Sequence, residues 1–138
     1  MTNNPTVVPA EVRVLDPAEC WRLLGEQSLG RFGVRLADGV DIFPVNYLVH
    51  ERAIYFRSAP GSKLVDLTRA PAVAFEVDGQ LAHRVWSVVV TGIARRLSTE
   101  AEILDSGIHE LETWYPVDKF NYVRLQPKSV TGRSFSKS

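Results

Sequence analysis

Trp86-Ser87-Val88-Val89-Val90-Thr91-Gly92-Ile93-Ala94-Arg95 decides how this chain folds. β-Branched residues dominate it, and such residues fit a pleated, half-buried surface. The run is long enough to bend across a barrel, and Gly92 marks the place for a bulge. Upstream, Ala72 to Asp78 alternates apolar and polar residues, as does Ile54 to Ser58. Further back, Arg31 to Leu36 and Asp41 to Val49 flank the turn Ala37-Asp38-Gly39 and read as a hairpin, with His50-Glu51-Arg52 turning into the next strand. Downstream, Ser98-Thr99-Glu100-Ala101-Glu102 begins a capped helix through about Ile108, and two strands, Phe120 to Leu125 and Val130 to Phe135, close the chain. Near the start, Asp16-Pro17-Ala18-Glu19 supplies an N-cap, a proline at the first helical position and a glutamate two residues later, predicting a short helix that ends near Gly25. Short antiparallel strands with few helices predict a mainly β fold, a closed or nearly closed β-barrel. No internal repeat is present.

With 138 residues, 45% of them hydrophobic, the chain is expected to form one domain over 1–138 with frayed tails at about 1–8 and 136–138. Sixteen basic and sixteen acidic side chains cancel, which argues against a nucleic-acid binder or a protein held to membranes by summed charge. The single Cys20 forms no internal disulfide and no zinc framework, consistent with a reducing compartment. Met1 to Pro9 lacks a targeting pattern and no apolar run is long enough to cross a bilayer, so the expected location is the cytoplasm, without a membrane partner. His50, His83 and His109 lack metal-ligand spacing, and no metal site is expected. Glycine fingerprints for dinucleotides or triphosphates are absent, as is the Gly-x-Ser-x-Gly elbow of serine hydrolases.

Ile54 to Leu64 carries the chemistry. Arg57 and Ser58 leave the end of a strand, Pro60-Gly61 punctuates, and Ser62 caps a predicted helix that holds Lys63 and Leu64. Cations, hydroxyls and the unpaired N–H groups of a helix start together make a cradle for a phosphate. A Pro-Gly-Ser turn with solvated Arg and Lys is the plainer alternative.

The ordered series Leu29-Gly30-Arg31-Phe32, Phe43-Pro44-Val45-Asn46-Tyr47, Ile54-Tyr55-Phe56-Arg57-Ser58, Gly61-Ser62-Lys63-Leu64, Val73 to Asp78 and Trp86 to Gly92 resembles the pyridoxamine phosphate oxidase-like family of FMN-binding split barrels. The resemblance implies an antiparallel split barrel of Greek-key type, working as a homodimer with FMN at its interface, or with a deazaflavin coenzyme as in some split barrels. It implies phosphate contacts from Arg57, Ser58, Ser62 and Lys63, with Leu64 beside them, and a ring-binding strand at Pro44, Val45, Asn46 and Tyr47. Trp86 and Ser87 match positions that approach the flavin from the second subunit, with core packing the nearly equal alternative for Trp86.

The resemblance therefore implies an FMN-dependent oxidoreductase that moves hydride between a reduced nicotinamide and a small organic acceptor. The cofactor carries the redox chemistry. Asn46 or a neighbouring backbone N–H would stabilise charge on the reduced ring. No obligatory acid is assigned; Tyr47 and Ser87 are weak candidates. A full basic clamp for pyridoxamine phosphate is missing, since only Arg124 and Arg133 remain for it. The alternative is a non-catalytic barrel that holds or senses flavin, deazaflavin or haem.

Overall fold

The structure, a computed structural model, describes residues 12–58, 72–108 and 121–136. Along the chain run β1 (Val12–Leu15), α1 (Pro17–Leu24), β2 (Leu29–Leu36), β3 (Gly39–His50), β4 (Ala53–Ser58), β5 (Ala72–Leu81), β6 (Arg84–Arg96), α2 (Glu100–Ser106) and β7 (Asn121–Ser136). All strand pairs are antiparallel, in the order β1-β7-β4-β3-β2-β5-β6, and β6 returns to β7 to close the barrel. β7 explains the split. One of its edges stays with β6 from Val123 to Ser136, while the other pairs with β4 over Asn121 to Leu125 and with β1 over Gly132 to Phe135. β3 likewise shares only Tyr47 to His50 with β4, so the two strands part before Asn46.

Alternation in the sequence becomes an inside and an outside. Phe32, Val34, Ile54, Phe56, Phe75, Val77, Val88 and Val90 point inward and are buried. The Phe32 and Phe56 rings lie 4.6 Å apart, and Tyr47 meets Phe75 edge-on at 4.9 Å. α1 plugs one end of the barrel with Cys20, Trp21, Leu23 and Leu24. Its start follows the sequence: the Glu19 N–H donates to the Asp16 carboxylate at 2.8 Å, and Pro17 stands in the first turn. α2 is capped by Thr99, whose hydroxyl accepts the Glu102 N–H at 3.1 Å, and it ends at Gly107 in the left-handed region. A smaller apolar cluster, Ala53, Tyr55, Leu97 and Ile108, forms outside the barrel.

Three local outcomes differ from the sequence reading. The two closing strands are one, β7, because a register slip between Thr91 and Gly92 absorbs the Pro127 region: Thr91 pairs with Ser129 and Gly92 with Pro127, leaving Lys128 as the extra residue. The bulge is where Gly92 places it, with the extra residue on the partner strand; a Cβ at Gly92 would run into the Gln126 carbonyl. β1 was not expected, and Ser136, assigned to a tail, pairs with Arg84 and accepts from its guanidinium at 3.4 Å. The helix expected from Lys63 lies outside the described residues.

Candidate functional site

β3 sets the geometry of the site. The Tyr47 N–H donates to the Ser28 carbonyl at 3.1 Å, so in an antiparallel ladder the backbone groups of Val45 and Tyr47 face β2. Those of Pro44 and Asn46 then face the other way, toward the edge that β3 leaves open where it parts from β4. Pro44 pairs with Arg31 at a position where a missing N–H loses no ladder bond, which is how a proline fits inside a twelve-residue strand. On the same edge, the Ile42 N–H donates to the carboxylate of Asp41 at 2.8 Å. The Asn46 side chain donates to the Ser28 carbonyl at 3.2 Å, which fixes its amide.

β4 brings the cation. Tyr47 opposes Phe56 and both point into the core; Asn46 and Arg57 are the next residues on two strands that part there, and by alternation their side chains are directed to the outer face. Arg57 is half-buried and pairs with Tyr122 of β7. Ser58 ends β4 opposite Asn121. Ser62, Lys63 and Leu64 lie outside the described residues, so the structure shows the strand half of the cradle.

The remaining expected residues are distributed by strand parity. Val45 and Tyr47 are buried, and their backbone groups are turned to β2. The Tyr47 phenol donates to the Leu24 carbonyl at 2.5 Å, and burial pushes it far above the ordinary phenol range. That corrects its candidacy as a proton donor, since its hydroxyl is committed inside the barrel. Trp86 is 3% exposed and packs in the core over Gly79, where a Cβ would come within 2.8 Å of the indole. Ser87 faces outward between Asp78 and Arg133. Pro44, Asn46 and Arg57 therefore share the outer face where β3 and β4 part, and Trp86 and Ser87 lie on β6.

One charged group escaped the sequence reading. Nη1 of Arg31 donates to Glu76 at 2.9 Å and to Asp78 at 3.1 Å. Burial and Asp78 hold the Glu76 carboxyl above the usual carboxylate range in spite of Arg31. Glu76 and Asp78 at alternate positions of one strand were visible as a same-face pair; what was not visible was that β2 lies beside β5. With Gly33, Ile42, Ala74 and Phe75, these three side chains line an open groove of about 540 Å³. Among the described residues no helix is long and apolar enough to cross a membrane, and no cluster of three His, Cys, Asp or Glu is placed to hold a metal.

An open strand edge with outward backbone groups, a fixed amide and an arginine thus share one outer face of a split barrel. The family model described as pyridoxamine 5'-phosphate oxidase matches residues 16–134, and the chain belongs to that family. A candidate pyridoxamine 5'-phosphate oxidase from Corynebacterium glutamicum is 41% identical, with a TM-score of 0.83 over 91% of this chain and 99% of that one. The FAD binding protein from Mycobacterium smegmatis is 36% identical, with a TM-score of 0.78 over 91% of this chain and 100% of its own. An uncharacterised protein of Mycobacterium tuberculosis is 36% identical over 88 residues, 64% of this chain and 80% of that protein.

Proposed function

We propose that this protein binds a flavin nucleotide at the open edge of β3 and works as a flavin-dependent oxidoreductase in homodimeric form. The observation that carries the reading is that Asn46 and Arg57 lie on one outer face where β3 and β4 part, beside the backbone edge of Pro44 and Asn46. The fit is chemical. An edge strand carrying Pro44 has no N–H to lose there, while the Asn46 N–H and the Pro44 carbonyl form a donor and acceptor pair of the kind a uracil-like ring edge reads. Arg57 suits a phosphate, to which its planar fork bonds in two places. Lys63, Ser62 and Ser58 would complete that contact.

FMN is the expected cofactor, and FAD or a deazaflavin offers the same phosphate and ring edge. When bound, it would supply hydride exchange between a reduced nicotinamide and a small organic acceptor. The chain's own residues bind and orient. Asn46, held by the Ser28 carbonyl, keeps the strand edge in register. Its backbone N–H would favour negative charge at the ring edge.

The relative from Mycobacterium smegmatis is described by binding alone, which supports a second reading, a flavin, deazaflavin or haem holder without rapid turnover. Stopped-flow reduction of the flavin-loaded protein by NADH and NADPH, followed by nitroaromatic and quinone acceptors, separates the two. Reduction and reoxidation at catalytic rates support the enzyme; a flavin that binds but exchanges hydride with neither donor nor acceptor supports the holder.

A further inference from the structure

On β6 the inward-facing positions are apolar until the strand's first residue. Val90, Val88 and Trp86 are buried, and Arg84 takes the same face two residues before Trp86. On β7, Ser134 opposes Trp86 and Ser136 opposes Arg84, so both hydroxyls share that face. Deeper in, Cys20 of α1 packs over Gly132 beside Val88. At the rim the face opens: Leu81, opposite Arg84 on β5, is 59% exposed. A cation therefore ends an otherwise apolar row, half-buried at the mouth of the barrel.

Its partners set it apart. Arg13, Arg22, Arg31 and Arg95 each bond a carboxylate. Arg84 bonds hydroxyls alone among the described residues: Nε and Nη2 donate to Ser134 Oγ at 3.1 and 2.8 Å, and Nη1 donates to Ser136 Oγ at 3.4 Å. A guanidinium carries five N–H groups, so one on each terminal nitrogen is left over. Both serines accept here, which leaves their own hydroxyl protons to donate. The cluster thus presents a positive charge and converging donors, all of one polarity. Withdrawing a charge from water without an opposite charge beside it is unfavourable, and a bound anion would offset that cost.

We propose that Arg84, Ser134 and Ser136 form a binding site for the oxyanion of a small molecule, a carboxylate or a phosphate. Two N–H groups on neighbouring nitrogens match two oxygens of such a group, which a single-atom anion lacks. The hydroxyl protons of Ser134 and Ser136 would reach the lone pairs that remain. Ser134 bridges Nε and Nη2, so the guanidinium is held in one orientation before a ligand arrives, and that lowers the entropic cost of binding. The site is distinct from the flavin cradle, because Arg57 faces outward at the end of β4 and Arg84 faces inward at the start of β6. It does not depend on the flavin reading.

The side-chain N–H resonance of Arg84 in the isotope-labelled full chain tests this, assigned by through-bond correlation and titrated at constant ionic strength. Sodium phosphate and sodium acetate represent the two sources of oxyanion, and sodium chloride is the control. The Arg84 signal is expected to move saturably with phosphate, acetate or both, with an apparent Kd at least about tenfold below that for chloride. Response to phosphate alone assigns a phosphate ester, and response to acetate alone a carboxylic acid. Arg84→Lys keeps the charge and loses the fork. In that variant the backbone amides of Ser134 and Ser136 are expected to report an anion affinity at least about tenfold weaker, while the rest of the amide spectrum shows that the chain is folded. The wild-type titration decides the matter even where the variant does not fold. A signal that chloride moves as readily as phosphate and acetate, one that none of the three moves, or serine amides that respond in Arg84→Lys as in wild type overturn the proposal.

Discussion

The phenol of Tyr47 donates to the main-chain carbonyl of Leu24 at 2.5 Å, joining the barrel strand that carries the site to the last turn of α1. Tyr47 is 2% exposed, so this bond lies wholly in the core, one residue from the outward-facing Asn46. The strand edge that faces a ligand is held from behind by a plug helix.

Tyr47→Phe is therefore expected to lower stability by about 1–3 kcal/mol, the range for leaving a buried acceptor without its donor. Urea unfolding with an unchanged m-value reads this directly. A variant as stable as wild type would mean that the helix carbonyl is satisfied otherwise.

At Gly92 the constraint is steric. A Cβ there meets the Gln126 backbone, which belongs to a paired strand and has little room to yield. Gly92→Ala is expected to destabilise by about 1–3 kcal/mol through overpacking. Thermal melting of Gly92→Ala beside Gly39→Ala, where nothing lies close enough to clash but φ is +153, separates packing from backbone preference.

The Glu76 carboxyl gives a pH signature with a definite sign. Its folded-state affinity for a proton exceeds its unfolded one, so folding gains from it at low pH and loses as pH rises from the unfolded carboxylate range through the raised value. Glu76→Gln removes that dependence. The variant is expected to gain relative to wild type between pH 4 and pH 7.5, by less than about 1 kcal/mol because Glu76 is partly solvated. Melting temperatures of both proteins across that range check the prediction; a difference that shrinks with rising pH contradicts it.

Much of this fold was readable because β2, β5 and β6 each bury one face and wet the other. Period-two alternation records that directly, and Asp16-Pro17 and Thr99 announce their helices with local chemistry. What stayed hidden was non-local. Val12 to Leu15 is a short strand whose partner lies near the other end of the chain, and no neighbouring residue signals it. Pro127 reads as a break because its tolerance depends on Gly92, far away in sequence. In the site, Asn46 and Arg57 were legible through resemblance and the parity of two strands. The Arg31 cluster was not, since it requires knowing that β5 pairs with β2 and not with β4.

The central claim is that a flavin phosphate docks at the end of β4. Equilibrium titration of the protein with FMN, followed by quenching of flavin fluorescence, tests it in wild type, Arg57→Ala and Lys63→Ala. Each substitution is expected to weaken binding by the strength of a charge-assisted hydrogen bond, about 1.5–3 kcal/mol, or roughly 10- to 150-fold in Kd. Wild-type affinity retained in both variants would contradict the account.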